Sequence, residues 1–307
     1  MAKRKTGHGI EWLNQPGYKG ESWNPMTGCT PVSPGCQNCW AADLHTKRRN
    51  ATWTKGPRPK QYDEPFSKIQ LFPERLAEPL SWKKPRSVAV CLMGDLFHDD
   101  VPDEFIAKVF CVMIMSPLHR FHILTKRAER MRDFLHTKPW VGQEFRAGRG
   151  EQVLAEATIT RSVAPNVRLG VSVENQQTAD ERIPHLLKCP ARVHFVSFEP
   201  ALDWIDLTPW LCDNCEGNHD PGVDACSICE GESIGWTIVG HESGKGARVG
   251  NIGDVDLVVH QCRHAGTPVY VKQINIGGKL LKVPHGEPYP DAWPTKLRVR
   301  EFPRGEA

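Results

Sequence analysis

Six short runs rich in β-branched and aromatic residues punctuate the chain, at 87–95, 120–127, 167–175, 191–200, 235–244 and 267–273. Amphipathic stretches lie between them: 102–115, with Asp103 and Glu104 in its first turn, then 128–137, 178–188, and 254–266, which closes on Gly266. Acids near a helix start and glycine at its end complement the unpaired amides and carbonyls there. Nearly continuous apolar strands alternating with helices imply parallel βαβ units, whose sheet is buried on both faces. No short internal repeat or low-complexity tract interrupts this rhythm.

Each apolar run ends in polar or charged residues: Gly94-Asp95, Thr125-Lys126-Arg127, Glu174-Asn175, Glu199, His241-Glu242-Ser243 and Lys272-Gln273. In a parallel barrel all such ends converge on one face, the face that carries active sites. A doubly wound open sheet gathers ligands at one switch point instead. Polar groups at six successive ends favour the barrel. A further strand within 20–29 and a helix near 37–50 complete the expectation: a partial TIM-like (βα) barrel of about six to seven parallel strands. Residues 1–307 read as one such domain, with 51–86 as a long Pro- and Lys-rich connection and 138–166 as a surface insertion. Residues 208–234 break the rhythm and form a second insertion.

The chain carries 11 cysteines. Its N-terminus has no apolar signal-peptide core, so disulfides are a poor explanation. No apolar run is long enough to span a membrane. A soluble cytoplasmic protein with no membrane partner is expected. Cys29, Cys36 and Cys39 form C-x6-C-x2-C in a loop with Gly28, Pro31, Pro34 and Gly35, just after the first expected strand. Thiolates bind iron–sulfur clusters or zinc, and spacing alone does not separate the two. Structural zinc is normally closed by four protein ligands, whereas three thiolates leave one iron of a cluster open. His45 as a fourth ligand would make a zinc site, and unliganded thiols are a third reading. Cys212, Cys215, Cys226 and Cys229 form C-x2-C-x10-C-x2-C, which suits a tetrahedral four-thiolate zinc site stapling a loop too small to have a core. A second iron–sulfur cluster is the alternative there, and a lid or docking finger is the functional reading of the insertion. Cys91, Cys111, Cys189 and Cys262 stand singly and read as buried packing residues.

Charge is uneven. Residues 1–60 hold ten Lys/Arg against three acids, while 212–232 hold six acids and no Lys/Arg. The first segment is either a polyanion contact or a solvated basic face; the second is unsuited to gripping phosphate. Trp12, Trp23 and Trp40 are candidates to shield a cluster from water or to stack on bases. His119 and His122 read as packing residues. Lys126 and Arg127 are candidates to hold a carboxylate or phosphate, with a solvated turn as the rival. No Walker loop or HExxH helix is present.

The blocks ESWNPMTGCTPVSPGCQNCWA, MGDLFHDDVPDEFI, ILTKRAERM, LGVSVEN, FVSFEP and IVGHESG resemble, in order and spacing over roughly residues 10 to 275, the three-Cys-motif family of phage and prophage proteins. That family is similar to the radical S-adenosylmethionine (SAM) superfamily. The resemblance implies a three-cysteine loop after the first strand of a partial βα barrel, holding a [4Fe–4S] cluster that binds and reductively cleaves SAM. It assigns Cys29, Cys36 and Cys39 as cluster ligands, and Gly94 and Asp95 to the SAM amino group. Lys126 and Lys272 would neutralise the SAM carboxylate, with Glu174, Glu199, Glu242 and Ser243 as further cofactor contacts. An electron donor, a nucleic acid or nucleotide substrate and a protein partner are the implied associates. The competing function is a non-catalytic, metal-stapled phage protein that binds nucleic acid or a partner. The usual radical SAM spacing is C-x3-C-x2-C; here the first gap is longer and Asn38, not an aromatic, precedes the last cysteine. His241 replaces a glycine of the family pattern, and Ile274-Asn275 follow Lys272-Gln273.

Overall fold

The computed structural model describes residues 9–303 except 55, 138–142, 148–150, 156–164, 216–225, 230, 245 and 285, and only the backbone of 137, 143–147 and 151–155. Its centre is a mostly parallel, curled eight-stranded sheet, a half-barrel. The strands are β1 (Lys19–Trp23), β2 (Arg86–Val90), β3 (Arg120–Thr125), β4 (Val167–Val173), β5 (His194–Phe198), β6 (Trp236–Gly240), β7 (Val269–Ile276) and β8 (Lys279–Lys282). β1 to β7 pair in parallel in chain order, and only β8 runs antiparallel, against β7. The order never reverses, so there is no switch point of the doubly wound kind. Helices α1 (Trp40–Arg49), α2 (Asp103–Ile114), α3 (Ala128–Thr137), α4 (Gln176–Leu187) and α5 (Ile252–His264) follow β1, β2, β3, β4 and β6. Between β5 and β6 the described residues show no α-helix; the four-cysteine segment runs there instead.

Every residue of β4 is buried, as its unbroken apolar run requires of a strand covered on both faces. Alternation along each strand builds two cores. Val88, Val90, Phe121, Ile123, Leu169, Val171, Val196 and Phe198 join the core shared with the helices. Ala89, Phe195, Trp236, Ile238 and Tyr270 form a separate interior cluster with Trp12 and Leu13. The short turn Glu11–Leu13 enters the concave side and packs on β1, β2 and β7. Trp12 meets His122 edge-on at 5.4 Å and Trp236 at 5.9 Å. Leu13 is fully buried, worth about 1.5–3 kcal/mol of apolar transfer. On β4 a Cβ at Gly170 would lie 2.4 Å from the Phe195 ring, so the interior closes around a missing side chain.

The expected strand within 20–29 is β1, with a two-residue pairing of Met26–Thr27 against Gln70–Leu71 beyond it. β8 was not anticipated. Gly277 and Gly278, both at positive φ, form the two-residue turn that folds it back on β7. Within 138–166, Gln143–Ala147 pairs antiparallel with Glu151–Ala155; most of the rest of that insertion, like 216–225 of the other, lies outside the described residues. No helix among the described residues is long and apolar enough to cross a membrane.

Candidate functional site

The strand C-termini surround a cavity of about 430 Å³. Cys29, Cys36 and Cys39 line it together with Gly94, Asp95, Lys126, Glu199, Glu242, Ser243 and Lys272. Of the eight residues expected to contact a cofactor, Glu174 alone is absent from this lining. The apolar cluster around Trp12 and Leu13 forms a plug below the polar strand ends, and Trp12, Leu92 and Leu124 line the cavity.

The cysteine loop is tied down from four strand ends. After β2, the left-handed backbone of Cys91 (φ 56°) turns the chain so that Gly94 lies against Gly28. A Cβ on Gly94 would come within 2.8 Å of the Gly28 carbonyl. Asp95 follows, 5% exposed, and its carboxylate accepts from Thr125 Oγ1 (2.7 Å), Phe97 N (3.0 Å), Lys126 N (3.2 Å) and Arg127 Nη1 (3.1 Å). Arg127, after β3, also donates to the Cys29 sulfur at 3.6 Å and to Thr30 O at 3.2 Å. Thr30 Oγ1 pairs with His98 Nε2 at 2.8 Å. Burial, then the charge of Asp95, pushes the Cys29 thiol up to about 11, against the pull of Arg127.

Glu174 follows β4, just before the N-cap Asn175, where Thr178 and Asn175 form a reciprocal cap that fixes the start of α4. Its side chain is fully buried. It accepts from Ser33 Oγ (2.8 Å), Lys126 Nζ (3.2 Å) and Arg182 Nη1 (3.2 Å). Gly35 passes so close that a Cβ there would meet Glu174 Cγ at 2.4 Å. After β6, Glu242 accepts from Asn38 Nδ2 (2.9 Å), Arg248 N (2.7 Å), Arg248 Nε (3.0 Å) and Arg248 Nη2 (2.5 Å). Burial raises the Glu242 carboxyl, but the Arg248 and Asn38 donors outweigh it and hold it below its ordinary value. Arg248 in turn donates to Pro34 O at 3.0 Å. Asp95, Glu174 and Glu242 thus have their acceptor capacity filled by protein donors. Through these bonds all three position the loop, while Asp95 and Glu242 also line the cavity.

The other wall differs. Glu199, at the end of β5, takes Lys272 Nζ at 3.0 Å and Ser197 Oγ at 3.3 Å, and its side chain is 15% exposed. Gln273 donates to His241 O at 2.7 Å, leaving its buried Oε1 without a partner. His241 accepts from Asn275 N and donates to Asn251 O, so both ring nitrogens are engaged. Lys282, from β8, stands at the rim; partial desolvation and then Lys272 lower its ammonium.

Several sequence candidates lie elsewhere. His45 is buried with Nε2 on Gln61 O at 2.8 Å, away from the thiols' cavity lining, so it is no fourth ligand. Trp23 is buried in the helix-side core and donates to Arg75 O; Trp12 is in the plug. Only Trp40 stands at the mouth as an exposed aromatic, 44% accessible. His119 Nε2 donates to Pro79 O and His122 Nε2 pairs with Ser87 Oγ, both as packing residues. Ser33 and Asn38 have no sequence signal because their partners, Glu174 and Glu242, are strand ends far along the chain; Arg182 and Arg248 lie near those acids in sequence, but nothing local marks the pairing.

The second cysteine group is compact. Cys212, Cys215, Cys226 and Cys229 place all four sulfurs within 4.8 Å of one another, an arrangement able to hold a metal ion. The Cys212–Cys226 and Cys215–Cys229 separations are 3.8 and 3.5 Å. Tetrahedral ligation with Zn–S near 2.3 Å requires sulfur–sulfur edges of about 3.8 Å, and a disulfide requires about 2.05 Å. Asn214 donates to Cys226 Sγ at 3.2 Å, the leading cause that lowers this thiol to about 6.

A family model described as a protein of unknown function (DUF5131) matches residues 8–282. No curated protein and no solved structure matches the chain.

Proposed function

The chain belongs to this uncharacterised DUF5131 family, and we propose that it is an iron–sulfur enzyme of the radical SAM type. The observation that supports this reading most is the set of three thiols lining one cavity, on a loop braced from four strand ends. Such bracing suits a cluster with one open iron better than a closed single-ion site. His241, the imidazole in the lining, has both nitrogens engaged.

Held by Cys29, Cys36 and Cys39, a cluster would supply the one-electron chemistry for reductive cleavage of SAM and hydrogen abstraction from a substrate. The chain's residues do the rest. Arg127 puts a cation beside Cys29. Lys126, 19% exposed, keeps donor capacity that would serve the SAM carboxylate, and Ser243 lines the same cavity as a further polar contact. Hydrogen bonds to such charged groups are worth about 1.5–3 kcal/mol each. A nucleotide or nucleic acid is the proposed substrate and an electron-donor protein the proposed partner. The four-cysteine group is a structural zinc site that takes the place of a helix between β5 and β6.

The test is anaerobic reconstitution with iron and sulfide, metal analysis, and incubation with SAM and a strong reductant. Brown protein that forms 5′-deoxyadenosine supports the reading. A colourless chain holding only zinc overturns it, and a full cluster that neither binds nor cleaves SAM turns the assignment to a metal-stapled binding module.

A further inference from the structure

The two walls of the cavity differ in what their polar groups have left to give. On the cysteine side, Asp95, Glu174 and Glu242 are filled by Arg127, Arg182, Lys126, Arg248 and backbone donors. On the side built by β5, β7 and β8 the groups are unsaturated. Lys272 spends one of its three N–H donors on Glu199. Lys282 has no hydrogen bond or ion pair with a described residue. Glu199 accepts only two donors, and the buried Oε1 of Gln273 accepts none. Gln273 and Lys282 are directly paired across the β7–β8 ladder, so this corner is set by regular hairpin geometry.

We propose that this wall is the substrate-recognition subsite, where Lys272 and Lys282 grip an oxyanion of the substrate while Glu199 accepts a hydrogen bond from a donor beside it. Two ammonium groups lining one corner of a cavity are well matched to an anion that bridges them. Glu11 and Glu199 oppose them, so the corner does not act as a bulk positive field. It selects a ligand that brings its own anion together with a donor. A nucleotide offers that combination in its phosphate and base, and an amino acid in its carboxylate and ammonium; the shared chemistry is the oxyanion. The inference deepens the enzyme reading by naming the substrate class, and it rests on this cavity being the active site.

The experiment is calorimetric titration of the full chain as isolated, before any iron is supplied, with AMP, adenosine and succinate at low salt. AMP is expected to bind and adenosine to bind at least tenfold more weakly. Lys282→Gln and Lys272→Gln are each expected to weaken AMP at least tenfold, with the melting temperature of Lys282→Gln unchanged. Lys279→Gln, on the same hairpin outside the lining, is expected to match wild type. Succinate binding that Lys282→Gln removes, with no AMP binding, makes the oxyanion a carboxylate and keeps the subsite. Neither anion binding, or equal binding by Lys282→Gln and wild type, overturns it. Because no cluster or SAM takes part, failure to cleave SAM would sink the proposed function and leave this result standing.

Discussion

The two cysteine groups reach their geometry by opposite routes. Cys212, Cys215, Cys226 and Cys229 lie within 18 residues and converge to one tight cluster of sulfurs; two CxxC pairs and a short return suffice. Cys29, Cys36 and Cys39 are also close in sequence, but their loop is shaped by groups up to 214 positions away, as in the Arg248–Pro34 contact. One site is local and carries its own geometry; the other borrows it from the half-barrel. A local site serves as a staple that can be lost alone. A borrowed site registers every change at the strand ends, as a reactive centre must.

The sharpest way to break this comparison is to remove one metal and watch the other. Cys36→Ala is expected to abolish bound iron completely while zinc stays near one per chain, and Cys215→Ser to do the reverse. Metal analysis of reconstituted protein checks both. Iron lost from both variants together, or zinc from both, would mean the two sites are one system. Next in size is Glu174→Ala. It leaves Arg182, 2% exposed, as an uncompensated buried charge, which costs about 3–5 kcal/mol. Urea unfolding should show that loss, and iron occupancy should fall because Ser33 is released. A smaller effect is expected from Gly35→Ala, whose new methyl would press on Glu174. Overpacking of this kind costs about 1–3 kcal/mol. Iron retention, with zinc as the internal control, reads it.

How far these features were legible in the sequence follows the same division. The apolar runs and the helices between them predicted β2 to β7 and all five helices, because alternation and helical periodicity are local signals. The CxxC pairs predicted the compact group. Strand-end polarity marked seven of the eight expected contacts that line one cavity, Glu174 being the exception, but not the bonds they make. Nothing local marks Asp95 as saturated, since Thr125 and Arg127 reach it only once β2 and β3 pair. Arg248 sits in a Gly-rich stretch without periodicity, so its grip on the cysteine loop had no sequence signature. β8 did have one: Gly277-Gly278 between Asn275-Ile276 and Lys279-Leu280 is a two-residue hairpin signal. Overlooking it left Lys282 out of the cavity.

The smallest expected effect tests whether the loop is held by charge, and it depends on pH. Glu242 titrates below the ordinary carboxylate value because Arg248 and Asn38 donate to its ionised form, against the opposing effect of burial. A folded value below the unfolded one gives stability that is present above the unfolded value, near 4.3, and lost as pH falls through the folded value. The Arg248 side chain is 32% exposed, so water screens the pair, and about 1 kcal/mol is the expected size. Hydrogen exchange at residues 33–38 should therefore stay slow at pH 5 and above and quicken on further acidification. In Glu242→Gln the exchange should be faster already at pH 6, with that part of the acid dependence gone. The corresponding exchange near Cys212 should not respond to this substitution, because no Glu242 contact reaches the compact group among the described residues. Equal acid dependence in wild type and Glu242→Gln would show that the loop is held by its packing and by Glu174, not by the β6 clamp.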